Sequence, residues 1–229
     1  MKEDYKKKID WVYLRRKPLL WLYSAFLTLR YVDKWDIFPA FKFNGFFKVI
    51  FHKSNNSFLG VSSQLIFEKW LNGNEITTIQ LGVNSHFQTL NDFLIGNGVK
   101  ISLSDNAKLL VKGKKNETAS GITANSIILV NNYLEIGYDC LIAWDTFLTD
   151  SDWHQIGNQI NTLPTVIQDH VWIGMGAKIL KGVKIGSNCI IASQSTVLQG
   201  FYTEQSLIVG TPAKIIKSNV EDWKREMQY

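Results

Sequence analysis

From Ile167 onward the chain repeats every sixth residue. It reads IQDHVW IGMGAK ILKGVK IGSNCI IASQST VLQGFY, and Ile167, Ile173, Ile179, Ile185, Ile191 and Val197 fall in register. The residues four positions after the first five are Val171, Ala177, Val183, Cys189 and Ser195, all small or modest in size; Phe201 ends the series. A helix of 3.6 residues per turn cannot bring sixth residues to one side. A strand alternates with period two, so each hexad describes a short strand plus a corner. Three such hexads make one coil. Residues three hexads apart then stack, and aliphatic columns fill the interior.

The same period runs upstream through Val130, Ile136, Ile142 and Leu148, with Leu134, Cys140 and Thr146 at the fourth positions. A rougher trace includes Ile95 and Ile101. Between residues 46 and 130 the pattern is broken but rich in strand formers, with turn signals at Asn72-Gly73-Asn74 and Gly96-Asn97-Gly98. This stretch is expected to form irregular early coils. The two clear registers do not join: three hexads on from Leu148 is Val166, yet the later series runs through Ile167. The intervening segment is rich in Asp, Asn, Gln, Thr and Gly, with Pro164 near its end. That composition predicts an excursion from the coil. The excursion contains Leu148-Thr149-Asp150-Ser151-Asp152-Trp153-His154-Gln155-Ile156.

The chain of 229 residues is 45% hydrophobic, enough for one sizeable core or a core with a small appendage. The net charge of +5 is uneven: residues 1–17 hold seven basic and three acidic side chains, a net of +4. The body is nearly neutral and has no nucleic-acid-binding motif, so no nucleic-acid partner is expected. Cys140 and Cys189 form no C-x-x-C pair and read as packed thiols. After the basic run, Pro18 opens an apolar run to Leu29, too short to span a bilayer and lacking a signal-peptide cleavage site. Two readings are open for it. One is a helix packed on the body or on another subunit. The other is an interfacial anchor, with a weak membrane-surface contact through residues 1–30.

Three blocks carry a likeness. They are TDSDWHQI at 149–156, DHVWIGMGAKILKGVKIGSNCIIASQSTV at 169–197 and IVGTPAKIIK at 208–217. With the repeats, they make the chain resemble the hexapeptide-repeat acyltransferases over roughly residues 90–217. Within that family it looks most like the enzymes that O-acetylate capsule or lipopolysaccharide sugars. The resemblance implies a mainly β fold, a left-handed parallel β-helix. The expected organisation is an N-terminal helical and basic segment at 1–45, the β-helix at 46–210, and a terminal PAK segment with a short polar helix at 211–229.

The resemblance also implies a chemistry. An acetyl group would pass from acetyl-CoA to a sugar hydroxyl by direct attack, with His154 as general base. A neutral imidazole suits this work near pH 7. Asp152, two residues earlier, is the expected partner of the imidazole, with Asp150 as the other candidate. Trp172 is expected as a wall beside the base and the thioester. Gly174, Met175 and Ser193 are expected to line the coenzyme slot, although Met175 departs from the small residue frequent in the family. Lys214 and Lys217 are expected near the coenzyme phosphates. Asp150, Trp153 and Gln155 are expected acceptor contacts, and His170 an ordinary corner residue. The family is trimeric with coenzyme sites between subunits, so a homotrimer acting on a sugar or glycan is expected in the cytoplasm, or peripherally on the inner membrane face. No resident metal is expected: a metalloenzyme of this fold needs three convergent imidazoles, and His86, His154 and His170 offer no close H-x4-H pair. An N-acyltransferase of an amino sugar nucleotide and a non-catalytic β-helix scaffold are the alternatives.

Overall fold

A computed structural model describes residues 8–113 and 118–225. Short parallel strands stack into three faces. The first face runs through Phe41–Phe43, Leu65–Glu68, Phe93–Gly96, Ser120–Ile122, Leu141–Ile142, Trp172–Ile173, Ile190–Ile191 and Ser206–Gly210, and ends in the antiparallel strand Ala213–Ser218. The second runs from Val49–Lys53 to Thr196–Val197, and the third from Lys34–Trp35 to Gly200–Tyr202. Successive strands visit the first, second and third faces in turn. The result is a three-sided parallel β-helix. The hexad residues Ile142, Leu148, Ile167, Ile173, Ile179, Ile185, Ile191 and Val197 are all buried, as are Cys140 and Cys189 at fourth positions. Burial pushes the Cys140 thiol up to about 12, so it is inert packing.

The broken pattern upstream has a geometric cause. The partners Ile173 and Ile191 are three hexads apart, a regular coil. The partners Phe41 and Leu65 are four hexads apart, and the steps from Leu65 to Phe93 and from Phe93 to Ser120 are longer still and not whole hexads. The early strands hold up to five residues and the late ones as few as two. Longer sides enclose a wider triangle, which needs larger side chains to fill it. Phe41, Phe43, Phe67, Phe87 and Phe93 do this, with Phe43 stacked on Phe67 at 4.7 Å and Phe41 on Phe51 at 5.0 Å. The interior narrows to Ile and Val columns further on.

Two helices close the wide end: α1 (Trp11–Arg16) and α2 (Pro18–Tyr31). The outermost strand of the first face, Phe41–Phe43, would otherwise leave an unpaired edge. Thr28 Oγ1 accepts from Phe41 N at 3.1 Å, and the Tyr13 hydroxyl accepts from Phe43 N at 3.0 Å. Leu20 and Leu27 cover the core beneath. The narrow end is closed differently from the expectation. Residues 219–225 form no helix, and 226–229 lie outside the described residues. Trp223 instead stacks on His170 at 4.3 Å, and its indole donates to the His170 carbonyl. Arg225 donates to Asp139 at 2.9 Å. A local helix would have to give up these contacts, and tertiary packing overrides the helical bias of the tail.

The register slip is an insertion. Leu148 pairs with Ile179, so this coil exceeds the regular three hexads by two further hexads and one residue. The odd residue is the slip seen in the sequence.

At Gly96 an added Cβ would fall 1.3 Å from the Thr123 carbonyl oxygen of the next coil. Gly96→Ala is expected to lower stability by about 1–3 kcal/mol or more, read from the urea unfolding midpoint.

Candidate active site

The inserted segment leaves the coil after Phe147–Thr149 and returns at Thr165–Ile167, at the corner between the second and third faces. A short antiparallel neck holds the loop. Ser151 bridges Thr162, Asp152 N donates to Asn161 O at 2.8 Å, and Leu163 N donates to Asp150 O at 2.9 Å. Below the neck, Asp150 is fully buried and accepts from the backbone N–H groups of Asn131, Asn132 and Tyr133, each at 2.7 Å. Burial raises its carboxyl above the ordinary value against the pull of these donors. Asp150 therefore anchors the loop. A buried, triply bonded carboxylate is not free for the substrate or imidazole contact expected of it.

Asp152 pairs with Lys181 at 2.5 Å, and Lys181 also donates to Ile160 O. One lysine from the next coil thus clamps both sides of the loop. The Asp152 carboxylate is engaged there, and its expected bond to His154 is not formed in this chain. Trp153 sits at φ 64, its indole donating to Thr149 Oγ1 at 3.1 Å. Gln155 donates to the carbonyls of Gly157 and Gln159 and so fixes the loop tip. His154 is exposed and has no hydrogen-bond or ion-pair partner among the described residues. Trp153, Ile156 and Ile160 are exposed around it.

Trp172 lies on the first face, in register with Leu141 and Ile190. His154, one regular coil length earlier in the chain, is out on the loop and not beneath it. The exposed Trp172 ring is 6.0 Å from Trp223. His170 has φ 55 and occupies a corner, as expected. It does more than turn the chain: its ring bonds Asp139 at 2.6 Å and Asp222 at 2.9 Å and holds the tail.

The coenzyme candidates gather at a different corner, between the first and second faces. Met175 and Ser193 are exposed neighbours on successive coils, and Gln194 N donates to Met175 O at 2.9 Å. Gly174 is buried, and a Cβ there would meet Ser193 N at 2.6 Å, so its role is close coil packing. Thr211 Oγ1 donates to Gln194 O, which brings the start of the PAK segment to the same edge. Lys214 and Lys217 are exposed on the final strand and make no ion pair among the described residues.

The same edge holds a feature that the sequence reading missed. A cavity of about 400 Å³ is lined by Trp70, Glu75, Asn97, Asn125, Trp144, Asp145 and Met175. Trp70 and Trp144 meet edge to face at 6.4 Å. Asn97 accepts from Trp70 N at 2.7 Å and donates to Glu75 at 2.5 Å, so the carboxylate is held in place. These residues come from coils of unequal length, and no fixed spacing links them.

In one chain, then, the structure joins Met175, Ser193 and the PAK segment, but it places the His154 loop at another corner. The anchor has a direct test. Asp150→Ala leaves three buried N–H groups unpaired and is expected to cost about 3 kcal/mol or more in urea unfolding, with faster proteolysis within 152–162. Asp150→Asn, which keeps an acceptor oxygen, should lose less.

The family described as bacterial transferase hexapeptide (six repeats) matches residues 164–199. Curated relatives include 2,3,4,5-tetrahydropyridine-2,6-dicarboxylate N-acetyltransferases of Staphylococcus aureus strains JH9 and COL, 42% identical over 66 residues. That match covers 28% of this chain and only 27% of each relative. Among solved structures, the polysialic acid O-acetyltransferase OatWY is similar over 82% of this chain and 93% of its own, with 25% identity and a TM-score of 0.51. The polySia-specific acetyltransferase NeuO overlaps over 82% of this chain and 90% of its own, at 23% identity and a TM-score of 0.39. The fold shared with OatWY is the left-handed β-helix expected above. The hexapeptide match makes the chain similar to bacterial hexapeptide transferases over residues 164–199, and its three-sided coil shares the left-handed β-helix fold of OatWY.

Proposed function

We propose that this chain moves an acetyl group from acetyl-CoA to a hydroxyl of a glycan. His154 takes the hydroxyl proton as the oxygen attacks the thioester carbonyl. The carbon–sulfur bond breaks, and the proton passes to the departing coenzyme thiolate. The products are a sugar acetyl ester and free coenzyme A. The observation that carries this reading is the loop: a clamped neck holds clear of the coil an exposed imidazole that has no partner among the described residues.

The coenzyme would lie along the edge of Met175 and Ser193, with Lys214 and Lys217 toward its phosphates. Trp172 would wall the thioester. Because the loop and this edge occupy different corners, the base and slot of one site would come from different copies around a threefold axis. The exposed Trp153, Ile156 and Ile160 would then meet a neighbouring copy. Asp152, engaged by Lys181, would act by holding the loop, and Gln155 by shaping its tip. Acetyl-CoA is charged and does not cross membranes, which would keep the reaction in the cytoplasm or at the inner membrane face.

The acceptor would enter the cavity of Trp70 and Trp144. Aromatic faces and oriented amides suit a sugar ring. Glu75 and Asp145 line the cavity, and among the described residues no lysine or arginine does. The unit seated there is therefore an uncharged sugar, unlike the anionic polymer named for OatWY. A second reading, transfer to an amine, draws on the curated relatives, which are N-acetyltransferases over the matched 66 residues. The product separates the two: an ester is released by mild alkali and an amide is not.

Coenzyme A release with a panel of neutral and sialylated oligosaccharides tests the proposal. Neutral acceptors should be preferred. His154→Ala should lose about 10²–10⁴-fold in kcat, and equal activity would overturn the base assignment. Trp70→Ala should raise the acceptor KM about tenfold and leave that for acetyl-CoA unchanged.

A further inference from the structure

We infer that the helical cap docks on the surface of a membrane containing anionic lipid. This needs no assumption about the reaction. Leu20, Ser24, Ala25, Leu27 and Thr28 of α2 are buried against the coil. The other side of the same helix carries Leu19, Leu22, Phe26 and Leu29, which are 72%, 58%, 57% and 66% exposed. At about 100° per residue these four fall within one stripe roughly 80° wide. The outer side of a helix packed on a soluble body is normally polar, and here it is leucine and phenylalanine. Helix α1 extends the patch with Trp11 and Val12, 65% and 62% exposed.

The exposed charges between Lys8 and Tyr31 have one sign. Lys8, Arg15, Arg16, Lys17 and Arg30 are exposed. The single acidic residue between Lys8 and Tyr31 is Asp10, which caps α1 and pairs with Lys42 at 3.2 Å. A groove of about 510 Å³ is lined by Trp11, Val12, Arg15 and Arg16. Two guanidiniums beside an indole suit a lipid phosphate above the acyl boundary. A second copy of the cap would bring like charges together, whereas an anionic bilayer complements both the cations and the apolar stripe. With 14 residues α2 lies in the interface rather than across it, and no described helix is long and apolar enough to cross a membrane. The two readings open for this segment thus describe its two sides: one packs on the body, and the other faces lipid.

Flotation of the full chain with vesicles is the test. It should float with vesicles of phosphatidylglycerol and phosphatidylcholine, and stay behind with phosphatidylcholine alone. High salt should weaken the binding. The pairs Leu22→Ser with Phe26→Ser, and Arg15→Gln with Arg16→Gln, should each lose about tenfold or more in partitioning. Both pairs are exposed, so circular dichroism, sedimentation and coenzyme A release with a soluble acceptor should match the unsubstituted protein. Failure to float with anionic vesicles would overturn the inference, as would equal binding to neutral vesicles. A change of assembly state in the Leu22→Ser, Phe26→Ser protein would assign the stripe to contact between copies and overturn it too.

Discussion

Everything in this molecule depends on one register: each inward side chain stands on its counterpart one coil away. Parallel backbone hydrogen bonds fix that counterpart, and a slip of one residue would turn the aliphatic column outward. Leu148 therefore pairs with Ile179, although the whole His154 loop lies between them in the chain. The coil tolerates extra residues only by expelling them at a corner. The His154 loop is such an expulsion, and its neck shows how the cost of a long loop is contained. Asp150 binds three amides of the coil behind, and Lys181 reaches up from the coil ahead.

The same register separates the candidate site into parts. The loop leaves between the second and third faces. The cavity, Met175, Ser193 and the PAK segment share the edge between the first and second. The exposed apolar residues on the loop and the His154 imidazole both lack a counterpart among the described residues of their own chain. A second copy turned about a threefold axis would supply it. A parallel assembly of that kind would also set all helical caps on one side, where their contacts with a surface add.

How much of this was legible depends on coil length. Where a coil holds three hexads, the six-residue spacing exposes the core directly, and Ile167 to Val197 are buried as the pattern requires. The one-residue slip likewise marked the loop, because the insertion is not a whole number of hexads. Upstream the coils vary in length, so the phenylalanine core and the Trp70–Trp144 cavity have no period to reveal them. The polar tail carried a helical bias, but Trp223 found His170, far back in the chain. Asp152 was read by its distance from His154, and Lys181, three strands on, took its charge instead. Local spacing identified positions, while long-range partners decided their roles.

The most direct measurement uses mixed assemblies of two inactive chains. One carries His154→Ala and keeps its slot; the other carries Ser193→Trp, which blocks the slot, and keeps its base. If base and slot belong to different copies, co-expression of the two should restore coenzyme A release at about a quarter of the sites on random mixing. If the co-expressed chains assemble and remain as inactive as each variant alone, the shared site is refuted.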